Sequence, residues 1–229
     1  RGIAPKDRVG LFLPNVPAYV AAYYGAMMAG AVVVNFSPLY TAEELAAQVE
    51  DSGTRLLVTL DSPMLLPTAV EVLDRSSLET LVVTRLANAL PKMKSLALRT
   101  LGRKQIASVP SRSDVGQWSD WLGRDGGDLP DLSADDLALL QYTGGTTGTP
   151  KGAMLSHANL ASNAIQVDMI DPFDPNEPDS VLGALPLFHV FANTCVLNRT
   201  VVKGGRIVML PRFDAGQVLK TITNSRPRA

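Results

Sequence analysis

The sequence predicts an α/β protein in which strands and helices alternate around a largely parallel sheet. Two observations carry that expectation. Short apolar runs rich in Val, Leu and Thr recur along the 229 residues, and segments with helix caps or helical composition separate them. A glycine- and threonine-rich segment also follows directly on one of those runs, at the strand end where open α/β sheets keep their anion sites.

The elements follow in order. Residues 7–15 read as a strand ending in a turn at Pro14-Asn15, 16–29 as a helix and 31–36 as a second strand. No charged residue occurs from Leu11 to Ala42, which raises the question of a membrane span. Pro14, Asn15 and Pro17 break that stretch early, and Gly25, Gly30 and many alanines dilute it. A strand–helix–strand unit accounts for those breaks and a span does not. Thr41 with Glu44 three residues on makes a capping box for a helix over 42–49. Residues 55–60 and 79–84 read as short buried strands, with a helix over 67–75 between them. Residues 137–142 read as a further strand. A helix over 156–167 follows, with Ser156 as its N-cap and His157 in its first turn without a chemical role. Strands over 181–185 and 206–210 and a helix over 215–223 complete the series. Pro, Gly, Asp and Ser mark 108–116, 123–130 and 171–179 as loops.

The composition is that of a globular protein with a sizeable core. Hydrophobic residues make up 46% and charged residues 19%, and the formal net charge of −1 predicts no bulk attraction to nucleic acid. The first ten residues mix acid and base without an apolar core, so they do not read as a signal peptide. One cysteine, Cys195, excludes an internal disulfide and suits a reducing, cytoplasmic compartment. It sits in an apolar context with no neighbouring base, which predicts packing rather than nucleophilic work.

The most informative segment runs from Gln141 to Gly152. It places four glycines, four threonines and Lys151 immediately after Leu137-Ala138-Leu139-Leu140. Glycines let a backbone approach a ligand closely, and consecutive N–H groups in such a turn form an anion-binding concavity. Threonine hydroxyls add neutral donors and lysine adds a mobile point charge. That combination suits a polyphosphate. It is not a Walker A sequence, because Thr149 and Pro150 separate Gly148 from Lys151 and Gly152 follows the lysine.

Tyr142 to Gly152 resembles the phosphate-loop signature of the AMP-forming adenylate enzymes, a family of acyl-CoA synthetases, adenylation domains and luciferases. Gly144, where many members have serine or threonine, is similar to bacterial fatty-acyl-CoA ligases. Leu185-Pro186-Leu187-Phe188-His189-Val190-Phe191-Ala192 resembles the family's next motif, whose histidine borders the acyl-substrate pocket. The N-terminal stretch through Pro38-Leu39-Tyr40-Thr41 is similar to acyl-CoA ligases and leans toward fatty-acyl members. The resemblance implies part of the large N-terminal domain of such an enzyme, with a fatty acid, ATP and coenzyme A as substrates and Mg2+ as the ion. It implies backbone donation from Gly144, Gly145 and Gly148. Hydroxyl contacts would come from Thr143, Thr146 and Thr147, with Thr143 also a candidate metal contact. Lys151 would make a phosphate charge contact, and His189 would border the acyl pocket. No catalytic residue is assigned.

Family segments that hold adenine and ribose, the hinge and the small C-terminal domain have no counterpart in the sequence. The expectation is therefore that residues 1–229 form an incomplete N-terminal domain, inactive alone, whose open sheet edges invite association such as a homodimer. Another acid–thiol ligase, an adenylation domain and a non-catalytic nucleotide-binding module remain open readings. A basic stretch from Pro91 to Lys104 carries Lys92, Lys94, Arg99, Arg103 and Lys104 and no acid. As an amphipathic helix it would suit peripheral contact with an anionic membrane at the inner face; the alternative is an ordinary solvated face.

Overall fold

The computed structural model describes residues 3–90, 93, 95, 96, 98, 102, 106–122, 128–143, 150–171 and 179–228. The chain opens with strand β1 (Arg8–Leu11), helix α1 (Pro17–Met28) and strand β2 (Val32–Asn35), followed by α2 (Ala42–Ser52), β3 (Thr54–Leu60), α3 (Leu66–Arg75) and β4 (Thr80–Thr84). Pro17 starts α1, where its fixed φ suits the first turn and its missing N–H has no intrahelical acceptor to lose. The Thr41 hydroxyl accepts from the Glu44 amide at 3.3 Å and the Glu44 carboxylate accepts from the Thr41 amide at 2.8 Å, so the expected capping box is present. Gly53 ends α2 in the left-handed conformation at φ 64°, which only glycine adopts freely.

These strands join β5 (Val115–Gln117), β6 (Leu137–Thr143) and β7 (Lys151–Ser156) in a seven-stranded sheet of order β5-β4-β3-β1-β2-β6-β7. Every pairing in it is parallel except β6 with β7. Gly10 on β1 marks the tightest approach. A Cβ there would meet Phe36 Cε2 at 2.5 Å and Leu57 Cδ1 at 2.7 Å. Much of the sheet's buried surface is apolar: Leu11, Val33, Val34, Leu57, Leu81 and Val83 have no exposed surface.

The remaining elements are α4 (His157–Met169), β8 (Ser180–Gly183), α5 (190–202), β9 (Arg206–Met209) and α6 (Ala215–Ser225). Helix α5 is α-helical at Val190–Ala192 and Arg199–Val202, with a π-helical segment at Asn193–Asn198 between them. β8 and β9 pair in parallel across α5 and form a second, two-stranded sheet.

Three expectations change. Val115 and Gly116 belong to a strand rather than to the loop expected over 108–116, because three residues of β5 pair only with the distant β4. Residues 151–156 form a strand that the sequence did not announce. Helix α5 likewise went unmarked. The basic residues between Pro91 and Lys104 lie outside the described residues. Among the described residues no helix is long and apolar enough to cross a membrane.

Candidate functional site

β6 and β7 make an antiparallel hairpin, and the glycine–threonine segment is its connection. Gly144, Gly145, Thr146, Thr147 and Gly148 lie outside the described residues; the mouth of the hairpin is described. There Thr143 stands directly across from Lys151 in the ladder, and the Thr143 hydroxyl lies 3.5 Å from the Lys151 carbonyl oxygen. Both residues are exposed. Residues opposed in an antiparallel ladder present their side chains to the same face of the sheet, so the hydroxyl and the ammonium project together. Lys151 has no ion pair among the described residues.

Side chains alternate across a strand, which sorts the end of β6 into two faces. Tyr142 points to the α2 side, where its hydroxyl donates to Asp51. Burial, with the Asp51 carboxylate beside it, pushes the Tyr142 phenol well above its ordinary value. Gln141 and Thr143 therefore share the other face, together with Lys151. On that face Gln141 Nε2 donates to the Phe188 carbonyl at 3.0 Å, one residue before His189.

That contact is one rung of a buried polar ladder. Asn35 Nδ2 donates to Gln141 Oε1 at 3.0 Å, and the Tyr19 hydroxyl lies 2.7 Å from Asn35 Oδ1 and 3.0 Å from the Leu187 carbonyl. Asn15 accepts from the Leu187 amide at 2.8 Å and donates to the carbonyls of Gly183 and Leu185 at 3.0 and 2.7 Å. The residues 183–188 are thus held through their own backbone groups. Asn15, Tyr19, Asn35 and Gln141 are all buried, and a buried amide is costly unless it is paired.

His189 sits at the N-cap of α5 and is exposed. Its Nδ1 accepts from the Phe191 amide at 3.4 Å. A neutral imidazole with Nδ1 accepting carries its proton on Nε2, which is then available as a donor to an oxygen atom. Further along α5, the Tyr23 hydroxyl donates to Asn193 Oδ1 at 3.0 Å and the Tyr24 hydroxyl to Asn198 Oδ1 at 2.7 Å, both within the π-helical segment. Arg199, buried at the far end, contacts Asp171 and lies 2.9 Å from Asp179. The helix that begins at His189 is therefore anchored along its length. Burial pushes the Cys195 thiol up within the same helix, in keeping with packing rather than thiolate chemistry.

The structure thus places Thr143 and Lys151 together and holds the His189 turn to the same strand. The ladder of Asn15, Tyr19, Asn35 and Gln141 was missed by sequence reasoning. The available signal was a polar residue ending each of two apolar runs, Val32-Val33-Val34-Asn35 and Leu139-Leu140-Gln141. Ser156 caps α4 with His157 in its first turn, as expected, and Asn159 completes a capping box. Cavity volume does not find this site: a cavity of about 870 Å3 among Pro17, Ala89, Val201 and Met209 is bordered by none of Thr143, Lys151 and His189. Among the described residues no group of three or more His, Cys, Asp and Glu side chains could hold a metal ion.

The chain is similar to known proteins in sequence and in fold. The chain is 35% identical to the long-chain-fatty-acid–CoA ligase of Bacillus subtilis, an alignment that covers 99% of this chain and 41% of that protein. It is 34% identical to the enzyme of the same name from Escherichia coli O6:H1, over 95% of this chain and 40% of that protein. The chain thus spans about two fifths of the curated relatives it matches. Among solved structures, a long-chain-fatty-acid-CoA ligase from Archaeoglobus fulgidus superposes with a TM-score of 0.76 at 27% identity, covering 99% of this chain and 39% of that one. The family model for AMP-binding enzymes matches residues 1–229 from end to end. By that match the chain belongs to the AMP-binding enzyme family.

Proposed function

We propose that this chain supplies the nucleotide-phosphate and acid-binding part of an AMP-forming long-chain-fatty-acid–CoA ligase. The observation that carries the reading is the Thr143–Lys151 pair at the mouth of the glycine–threonine hairpin, on the sheet face to which Gln141 holds the His189 turn. The names of the Bacillus subtilis and Escherichia coli relatives support the choice of acid.

In the first step a fatty-acid carboxylate oxygen attacks the α-phosphorus of ATP. The bond to the bridging oxygen breaks, pyrophosphate leaves with the electron pair, and an acyl-adenylate results. In the second, the sulfur of coenzyme A attacks the acyl carbonyl carbon as its thiol proton is lost, and AMP leaves. Bringing a carboxylate up to a polyanion is the main barrier, so preorganised donors and positive charge are what the protein must provide. Lys151 provides the charge. Thr143, Thr146 and Thr147 provide hydroxyls, and Gly144, Gly145 and Gly148 provide backbone N–H groups. His189 Nε2 faces the acid side as a donor. Mg2+, when bound, would neutralise phosphate charge, and the exposed Thr143 hydroxyl would be a hard oxygen donor for it from this chain.

The test is ATP–pyrophosphate exchange by the protein that carries this chain, with a panel of acids. Exchange that depends on a long-chain fatty acid is the expected result. Exchange with aryl, short-chain or amino acids alone would make the protein another acid–thiol ligase or an adenylation domain. ATP binding without exchange for any acid would make it a non-catalytic nucleotide-binding module. For the 229-residue polypeptide by itself the expectation is no acyl-CoA formation. Cytoplasmic residence, homodimer formation and membrane contact through the basic stretch from Pro91 to Lys104 belong to the same proposal.

A further inference from the structure

We propose that Gln141 is a positioning residue that sets His189 against the Thr143–Lys151 pair and thereby fixes where the acid substrate meets the phosphates. The proposal rests on the reading of His189 as an acid-side residue. It starts from how the His189 turn is held. Asn15 and Tyr19 grip that turn from the segment after β1 and from α1. Among the described residues, neither of them has a hydrogen bond to β6. Among the described residues, Gln141 is the side chain with a hydrogen bond that ties the turn to the strand bearing Thr143.

The amide of Gln141 is also locked in orientation. Asn35 Nδ2 donates to its oxygen, and Asn35 Oδ1 is itself engaged by the Tyr19 hydroxyl. With the oxygen claimed, the Gln141 nitrogen must face the Phe188 carbonyl. Asn35 and Gln141 are register partners on neighbouring parallel strands, so the bond between them runs across the sheet with no loop in between. Packing alone does not require an amide there: Leu139 and Leu140, the preceding residues of β6, show that an apolar side chain suits this strand. The amide makes hydrogen bonds with Asn35, the Tyr142 carbonyl and the Phe188 carbonyl that an apolar side chain cannot make, and the last of them reaches the residue before His189.

A buried contact of this kind acts through geometry. Displacing a reacting group by about 1 Å can cost about 100-fold in rate, whereas phosphate contacts made through β6 and β7 stay in place. Gln141→Met keeps most of the volume and removes these hydrogen bonds. Gln141→Asn keeps the amide and shortens its reach, which guards against a variant that does not fold. Both are made in the protein that carries this chain, and Val83→Ala in the β4 core serves as a control of lowered stability away from the site.

Two readouts decide. In hydrogen exchange, residues 184–191 should exchange faster in the Gln141 variants and remain unchanged in Val83→Ala. In fatty-acid-dependent pyrophosphate exchange, kcat/KM for the acid should fall by up to about 100-fold, while the dissociation constant for ATP stays at the native value. Native exchange over 184–191 in both Gln141 variants would overturn the proposal. So would an equal kinetic loss in Val83→Ala at matched stability. A native protein that uses no fatty acid would instead sink the functional reading, and the hydrogen-exchange result would still decide the positioning role.

Discussion

Gly10 shows how closely single residues are constrained in this chain. A Cβ at that position would come within 3.0 Å of Phe36, Leu57 and Thr54, and both Phe36 and Leu57 are fully buried, so neither can swing into solvent. Gly10→Ala is therefore expected to lower stability by about 1–3 kcal/mol, the usual range for overpacking a filled core. Urea unfolding of the variant would check it; a midpoint equal to the native one would mean that β1 shifts at no cost. Nothing in the sequence around Gly10 announces this requirement, because the crowding atoms come from β2 and β3. Thr143 and Lys151 were legible by contrast, since glycine, hydroxyl and charge are concentrated within a few residues of one another. Asn15, Tyr19, Asn35 and Gln141 were not. The bonds that join them to one another and to the His189 turn span between 16 and 172 positions, and each residue looks ordinary in its own neighbourhood.

Helix α1 collects three tyrosines, Tyr19, Tyr23 and Tyr24, with hydroxyls turned toward Leu187, Asn193 and Asn198. Burial raises all three phenols above the ordinary value of 10.0, Tyr23 to about 12. A raised folded-state phenol pKa means that the native state holds its protons where the unfolded chain loses them. This contribution is fully present below pH 10 and fades as pH climbs through the folded-state values. The urea midpoint should therefore drop between pH 10 and pH 12, and Tyr23→Phe should show a shallower drop over that window. A flat midpoint would contradict the burial of these hydroxyls. The sequence announced α2 by a capping box, since caps are local. It did not announce β5, β7 or α5. β5 and β7 are defined by pairing partners elsewhere in the chain, and Lys151-Gly152-Ala153-Met154 has no alternation to mark a strand. The π-helical segment of α5 is held by side chains of α1, which local periodicity cannot encode.

Across the whole molecule, the parallel sheet brings the carboxyl ends of β1, β2 and β6 to one edge, and the site assembles there from distant parts of the chain. The segment after β1 supplies Asn15, β2 supplies Asn35, β6 supplies Gln141 and Thr143, β7 supplies Lys151, and α5 begins at His189. Alternation of strands and helices made the architecture readable, and the hairpin's composition is what suggested a polyphosphate ligand. How the His189 turn docks on the sheet needed the fold. The central claim is that the hairpin mouth grips a nucleotide's phosphates, and calorimetric titration of Mg-ATP into the native chain and into Lys151→Ala tests it most directly. Loss of one charged contact should weaken binding by about 10- to 100-fold with the circular-dichroism spectrum unchanged. Equal affinity in the two proteins, or no nucleotide binding by the native one, would contradict the account.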